Sequence, residues 1–159
     1  MKLQNYIADQ ARFAAEEAFR YAAAVPTDKL EWVPQDGVRS VLDMCKELAK
    51  CPDWAYELIV PGGSFESQTE ESRAAMKAEM DAWTTVEACH KACLEKLDRL
   101  AELYRSVPDE RLSETKWLPY NGGREHTILE MLDYPRWNCN YHTGQIAYIQ
   151  MLYGDKEIH

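Results

Sequence analysis

The sequence predicts an all-α fold, a single four-helix bundle over residues 1–159 with one or two longer crossover connections. Apolar residues recur at steps of three and four in four long blocks, and proline and glycine residues separate these blocks. The sequence has neither an alternating strand pattern nor an internal repeat of fixed period. A chain of this length buries roughly 70% of its unfolded surface, so the bundle needs no disulfide bonds.

The first helix is predicted from about Gln4 to Ala24, because one face of this block carries a stripe of alanine, isoleucine and tyrosine residues. Pro26 follows the block and marks the end of the helix. Residues 26–40 form a structured connection to the second helix. We expect its apolar residues to fold back over one end of the bundle; they are Leu30, Trp32 and Val33.

The second helix is predicted to begin after Ser40, whose hydroxyl can accept a hydrogen bond from the backbone amide of Asp43. The carboxylate of Asp43 also complements the positive end of the helix dipole. The helix is expected to end before Pro61. Pro52 lies inside it and removes the backbone hydrogen bond to the carbonyl of Leu48, which predicts a kink.

The third helix is predicted to be long, from about Ala75 to Ser106, after a polar loop over residues 62–74. Its later part carries apolar residues at alternating steps of three and four. Pro108 ends this helix, and a second loop, residues 109–126, leads to the last one.

The fourth helix opens with the run from Thr127 to Glu130, which has the sequence of a capping box. In this motif each of the two side chains bonds to the backbone amide of the other residue. Pro135 predicts a kink soon after the start. Gly154 is a natural C-terminal stop, because glycine readily adopts the backbone conformation that ends a helix.

The charge of the chain limits its partners. The net charge is −9, from 27 acidic and 18 basic residues, and the basic residues form no cluster. Binding to nucleic acid or to an anionic membrane needs clustered lysine and arginine, so neither partner is expected. No segment reaches the ~18 uninterrupted apolar residues of a membrane-spanning helix, and the N-terminus has no apolar leader. We therefore expect a soluble protein that is not secreted.

The cysteines favour a reducing compartment. Five is an odd number, and all five lie in predicted helices, which is typical of reduced thiols in a cytoplasm; they are Cys45, Cys51, Cys89, Cys93 and Cys139. Two of them lie one helical turn apart, on either side of His90. No second pair follows at the spacing of a zinc finger, so these thiols are predicted to be core residues.

The most informative feature for function is His142 in the fourth helix, which lies on the apolar stripe of a strongly periodic segment. Helical spacing places the following residues on the same face: Met131, Asn138, Ile146, Ile149 and Tyr153. A histidine with an asparagine one turn before it, both facing inward, can ligate a metal. The alternative is a core histidine whose ring is satisfied by a hydrogen bond.

Glu47 in the second helix is the third member of the candidate site. It lies one turn from Met44 and from Cys51, both on the core stripe, so it borders the interior and could point toward His142. Imidazole nitrogen, carboxylate oxygen and amide oxygen together can hold a divalent ion and leave positions open for water or substrate. In the alternative, Glu47 is a solvated flank residue and Asn138 a polar packing residue.

Three segments resemble the DinB-like superfamily of bacterial four-helix bundles, which includes thiol-dependent S-transferases. They are LEWVPQDGVRS, RSVLDMCKELA in the second helix, and YHTGQIAYIQMLYGD in the last helix, where the order HTGQI is the most specific. The resemblance runs from about Pro26 to the C-terminus and is weak in the middle third. It implies a bundle that often pairs into a homodimer.

The resemblance also implies a divalent ion, often nickel or zinc, held by one ligand of the second helix and two of the last helix. The matching positions are Glu47, where the family usually has histidine, Asn138, where it usually has histidine or glutamate, and His142. One of three typical ligands is therefore intact. A neutral asparagine oxygen is a poor ligand for nickel or zinc.

Two functions follow from these residues. If the polar interhelical site binds a metal, the resemblance implies transfer of a low-molecular-weight thiol or metal-assisted hydrolysis, with a small molecule or thiol as substrate. If the metal site has decayed, the protein is instead a non-catalytic small-molecule-binding or stress-associated dimer. The sequence assigns no catalytic residue.

Overall fold

The structure is a computed structural model that describes residues 1–63, 69–119 and 122–159. In these ranges the chain forms six α-helices and one two-stranded sheet. The helices are α1 (Leu3–Ala23), α2 (Val41–Ile59), α3 (Glu70–Ala82), α4 (Val86–Ser106), α5 (Ile128–Leu132) and α6 (Tyr134–Leu152). The strands are β1 (Thr115–Leu118) and β2 (Arg124–Thr127), which pair antiparallel.

The four long helices make the predicted bundle. Helix α1 packs against α4 and α6, and α2 packs against the same two helices from the other side. Their facing stripes form one core that contains Phe19, Leu48, Leu100, Tyr104 and Ile146, all buried. The expected four-helix bundle is therefore confirmed.

Capping fixes the start of α2, as predicted. The Ser40 hydroxyl accepts from the Asp43 amide at 3.2 Å, and the Asp43 carboxylate accepts from the Ser40 amide at 3.2 Å. Arg39 is consequently held just before the first turn of α2, and Glu47 lies two turns further along. The helix continues through Pro52 to Ile59.

The prediction for the third helix is wrong in two places. The helical segment starts at Glu70, inside the expected polar loop, and the chain leaves the helical conformation at Trp83 before α4 begins at Val86. Thr85 explains the new start, because its side chain accepts from the amide of Ala88 at 3.1 Å. Residues 64–68 of the expected loop lie outside the described residues.

Residues 109–126, before the last helix, were expected to be a loop, and that expectation is wrong for residues 115–118 and 124–126, which belong to two strands. These four-residue strands pair from Thr115 opposite Thr127 to Leu118 opposite Arg124. Lys116 of β1 donates to the carbonyls of Leu58 and of Gly63, at 3.1 and 2.7 Å. The hairpin thereby closes the C-terminal end of α2.

The last helix is also interrupted. The capping box of Thr127 and Glu130 is present and opens α5, as predicted. The chain then breaks at Asp133, and Pro135 lies in the first turn of α6 instead of kinking a longer helix. Proline fits that position because the first-turn amides have no helical partner. Gly154, with a φ of 101°, follows the end of α6.

All five cysteines are buried and unpaired, which confirms the prediction of free thiols. None of the described helices is both long and apolar enough to cross a membrane.

Candidate functional site

His142 lies on the buried face of α6 with 0% of its side chain exposed. Its Nε2 atom is 3.0 Å from Oε1 of Glu47, and its Nδ1 atom is 2.7 Å from Oε1 of Gln145, one turn later on the same helix. The structure thus brings two of the three predicted site residues together. Glu47 is not the solvated flank residue of the alternative interpretation.

Arg39 belongs to the site although the sequence did not predict it. Its Nη1 atom forms an ion pair with Oε2 of Glu47, so the carboxylate lies between the guanidinium and the imidazole of His142. The Glu47 side chain is 21% exposed and that of Arg39 is 47% exposed. A continuous polar chain therefore runs from the protein surface to the buried imidazole.

Burial lowers the pKa of His142 to about 4, the hydrogen bond with Gln145 opposes this shift, and the positive charge of Arg39 adds to it. The ring is therefore neutral at pH 7 and holds one proton. Its two nitrogens face two oxygens, so that proton can serve only one of them. Rotating the Gln145 side-chain amide by 180° exchanges its oxygen and its nitrogen. Both ring nitrogens then have a suitable partner, because the Gln145 NH₂ group donates to Nδ1 and Nε2 donates to Glu47.

Asn138, the third predicted residue, is 2% exposed and lies beside the thiol of Cys51. Burial and the neighbouring Cys139 raise the pKa of Cys51 well above its ordinary value, while Asn138 opposes the shift. Within the described residues the Nδ2 atom of Asn138 has no hydrogen-bond partner.

A cavity of about 720 Å³ opens beside the polar chain. One wall comes from residues 34–39, ahead of α2, and the other from the outer face of α6. Arg39 and Gln145 belong to this lining, and they also contact Glu47 and His142. The other described lining residues are Pro34, Gln35, Gly37, Val38, Met44, Tyr141, Gly144, Tyr148, Ile149 and Leu152.

Comparison with known proteins identifies the family. The sequence matches the DinB family over residues 2–159. The chain belongs to the DinB family. Among solved structures it is similar to YfiT from Bacillus subtilis, described as a probable metal-dependent hydrolase with an unusual four-helix bundle topology. The TM-score is 0.74 at 13% sequence identity, over 97% of this chain and 90% of that chain. At this identity the likeness shows the fold alone, and no curated protein matches.

The residues of this DinB-family chain do not fit a divalent cation. A protein-bound catalytic metal ion typically has three protein ligands, whereas this site offers the Nε2 atom of His142 and one carboxylate oxygen of Glu47. The other carboxylate oxygen is already paired with Arg39, whose positive charge would repel a cation. Among the described residues no group of three histidine, cysteine, aspartate or glutamate side chains could hold a metal ion.

The signals for the missed residues differ. Gln145 was visible in the HTGQI segment, three positions after His142, and this spacing places both side chains on one helix face. Arg39 gave no comparable signal. It lies outside a helix, and its contact with Glu47 depends on how the preceding connection folds.

Proposed function

We propose that this DinB-family protein binds a small organic molecule in the cavity beside Arg39 and does so without a metal ion. The observation that carries the proposal is that Arg39 and Gln145 belong both to the cavity lining and to the polar chain that ends at His142. A concave, largely apolar site with a few convergent polar groups is the usual form of a small-molecule site. The cavity volume of about 720 Å³ lies within the range of roughly 300–1,000 Å³ that is typical of small-molecule pockets.

The state of the thiols supports a binding role over thiol chemistry by the protein itself. Burial raises the pKa of Cys89 to about 11 and that of Cys139 to about 12. The thiolate is the nucleophilic form of cysteine, so these side chains are inert at neutral pH. The family's transfer reactions would therefore have to use a thiol that the substrate brings.

Metal-dependent thiol transfer or hydrolysis is the second candidate, with nickel or zinc as the ion. One observation favours it: Nε2 of His142 faces Oε1 of Glu47 at 3.0 Å, while Gln145 engages the other ring nitrogen. Histidine ligands commonly donate from their second nitrogen in this way. Asn138 would be the third ligand in this candidate. We rank it second because Arg39 supplies a positive charge at the same carboxylate.

A thermal-shift screen of small organic compounds tests the proposal, with wild-type protein and a Gly144→Trp variant compared in the presence and absence of EDTA. Gly144 belongs to the cavity lining, and a Cβ atom added there meets no other heavy atom within 4 Å, so the position accepts a side chain without a clash at Cβ. We expect compounds that raise the Tm of the wild type, equally with EDTA, and that fail on the variant.

The opposite pattern would support the second candidate. In that case nickel or zinc alone would raise the Tm, EDTA would abolish the effect, and Gly144→Trp would leave it unchanged.

A further inference from the structure

The cavity has an apolar body along α6. The segment from Trp137 to Gly154 contains no aspartate, glutamate, lysine or arginine, although its outer face is exposed. The lining includes two aromatic rings and several aliphatic side chains; they are Tyr141, Tyr148, Val38, Met44, Ile149 and Leu152. Burying an apolar ligand surface against such a wall is favourable, and a second charge on the ligand would find no oppositely charged side chain in this segment of α6.

The polar end of the cavity offers a single charge. Among the described lining residues, Arg39 is the only one with a formal charge. A guanidinium has five N–H donors and no acceptor, and the contact with Glu47 uses its Nη1 atom. Nearly half of the Arg39 side chain remains exposed, whereas Glu47 is turned toward His142 and is not part of the lining. A ligand that reaches this end therefore meets hydrogen-bond donors.

From these two ends we infer, building on the proposed function, that the ligand is a monocarboxylic acid with an apolar body. Its carboxylate binds the guanidinium of Arg39, and its body lies along α6 between Tyr141 and Tyr148. A carboxylate matches the forked donors of arginine, and Glu47 shows that Arg39 binds a carboxylate in this position. A cationic head group would find no negatively charged side chain among the described lining residues.

Calorimetric titration with decanoate tests the inference, with decan-1-ol and decyltrimethylammonium as matched probes of the same chain length. The proteins are the wild type, Arg39→Gln, Arg39→Lys and Gly144→Trp. Arg20→Gln is the control, because Arg20 is an exposed arginine of α1 that pairs with Glu17. Circular dichroism on each variant confirms that it folds.

We expect decanoate to bind the wild type and the Arg20→Gln control alike. Arg39→Gln should weaken decanoate at least about tenfold, as loss of a charge-assisted hydrogen bond predicts, and leave decan-1-ol unchanged. Arg39→Lys keeps the positive charge but lacks the forked donors of the guanidinium, so its affinity for decanoate should lie between those of the wild type and Arg39→Gln. Gly144→Trp should abolish binding of both probes.

Two results would overturn the inference, and they can be distinguished. If decan-1-ol or the cation binds as well as decanoate, and Arg39→Gln changes neither, the carboxylate assignment is wrong while the small-molecule site stands. If none of the three probes binds the wild type, the proposed function fails together with the inference.

Discussion

Nε2 of His142 lies 3.0 Å from Oε1 of Glu47, and this contact joins α6 to α2 inside the bundle. The imidazole is fully buried, and the carboxylate continues outward to Arg39 at the cavity. The same contact thus joins the packing of two helices to the polar chain that reaches the cavity. Removing His142 takes away the donor to Oε1 of Glu47, and removing Arg39 takes away the counter-charge of the same carboxylate.

Replacement of His142 should destabilise the protein and remove one source of its pH dependence. The folded-state pKa of about 4 lies below the ordinary 6.5, so the unfolded chain binds the proton more readily. Stability should therefore fall as the pH drops from 6.5 toward 4, by up to about 3 kcal/mol. Urea unfolding of the wild type and of His142→Gln across this range measures the difference. Parallel curves for the two proteins would contradict the lowered pKa.

A group of four charges should control the attachment of α3, which has no buried residue. Lys50 and Lys96 each lie 2.7 Å from both Asp53 and Glu79, and Glu79 is the member that belongs to α3. We expect Glu79→Gln to increase hydrogen exchange in α3 while lowering global stability by less than about 1 kcal/mol. Unchanged exchange in α3 would show that other contacts hold the helix.

The matched control is Glu71→Gln, which removes an exposed charge from the first turn of the same helix. Hydrogen exchange in α3 of this variant should stay close to that of the wild type.

Low pH should have the same effect on α3 as the Glu79 substitution. Burial opposes ionisation of Asp53 and of Glu79, but the two lysines outweigh it and lower both pKa values. The contribution of these carboxylates is present at neutral pH and is lost as the pH falls through the lowered values.

Thiol reactivity should follow burial. Titration of the denatured, unreduced chain should return five thiols, since all five cysteines are unpaired. The native protein should react slowly, because burial raises their pKa values and suppresses the reactive thiolate. A count of three or fewer after anaerobic handling would contradict the reduced state.

Self-association into a homodimer remains a prediction, and the surface of α6 suggests where to test it. Tyr134, Trp137 and Tyr141 form a stacked series with ring centroids 6.3 and 5.4 Å apart, and the last two are about half exposed. Contiguous exposed apolar groups are common at protein–protein interfaces. We expect sedimentation to show a dimer at micromolar concentration and Trp137→Lys to shift it toward monomer. A monomeric wild type would contradict the prediction.

The sequence predicted the elements that are fixed locally. Ser40 and Thr127 start helices through side chains three residues from their partners, so their patterns can be read from short segments. The break before α4 was missed because the apolar stripe marks only the later part of the predicted helix and the cap at Thr85 was not recognised. The strands escaped detection because four residues are too few to establish an alternating pattern.

In the candidate site, too, the locally determined features were predicted and those that depend on the tertiary fold were not. Helical spacing predicted that His142 and Asn138 lie on the inner face of α6 and that Glu47 lies at the border of the interior on α2. The burial of the three side chains agrees with this prediction. Spacing along one helix does not determine which neighbour a side chain contacts across the bundle. Asn138 accordingly lies beside Cys51, and the ion pair with Arg39 depends on the fold of a non-helical connection.

The most direct test of a metal-free site is elemental analysis of untagged protein combined with nickel and zinc titration of three forms. These are the wild type, Arg39→Met, and Arg39→Met with Asn138→His. We expect no bound metal and no binding heat for the wild type, because Arg39 supplies the positive charge and a third ligand is missing. Both changes together should give measurable binding, since the substitutions remove the competing charge and add a better donor. Stoichiometric nickel or zinc in the wild type, lost in His142→Ala, would contradict a metal-free site.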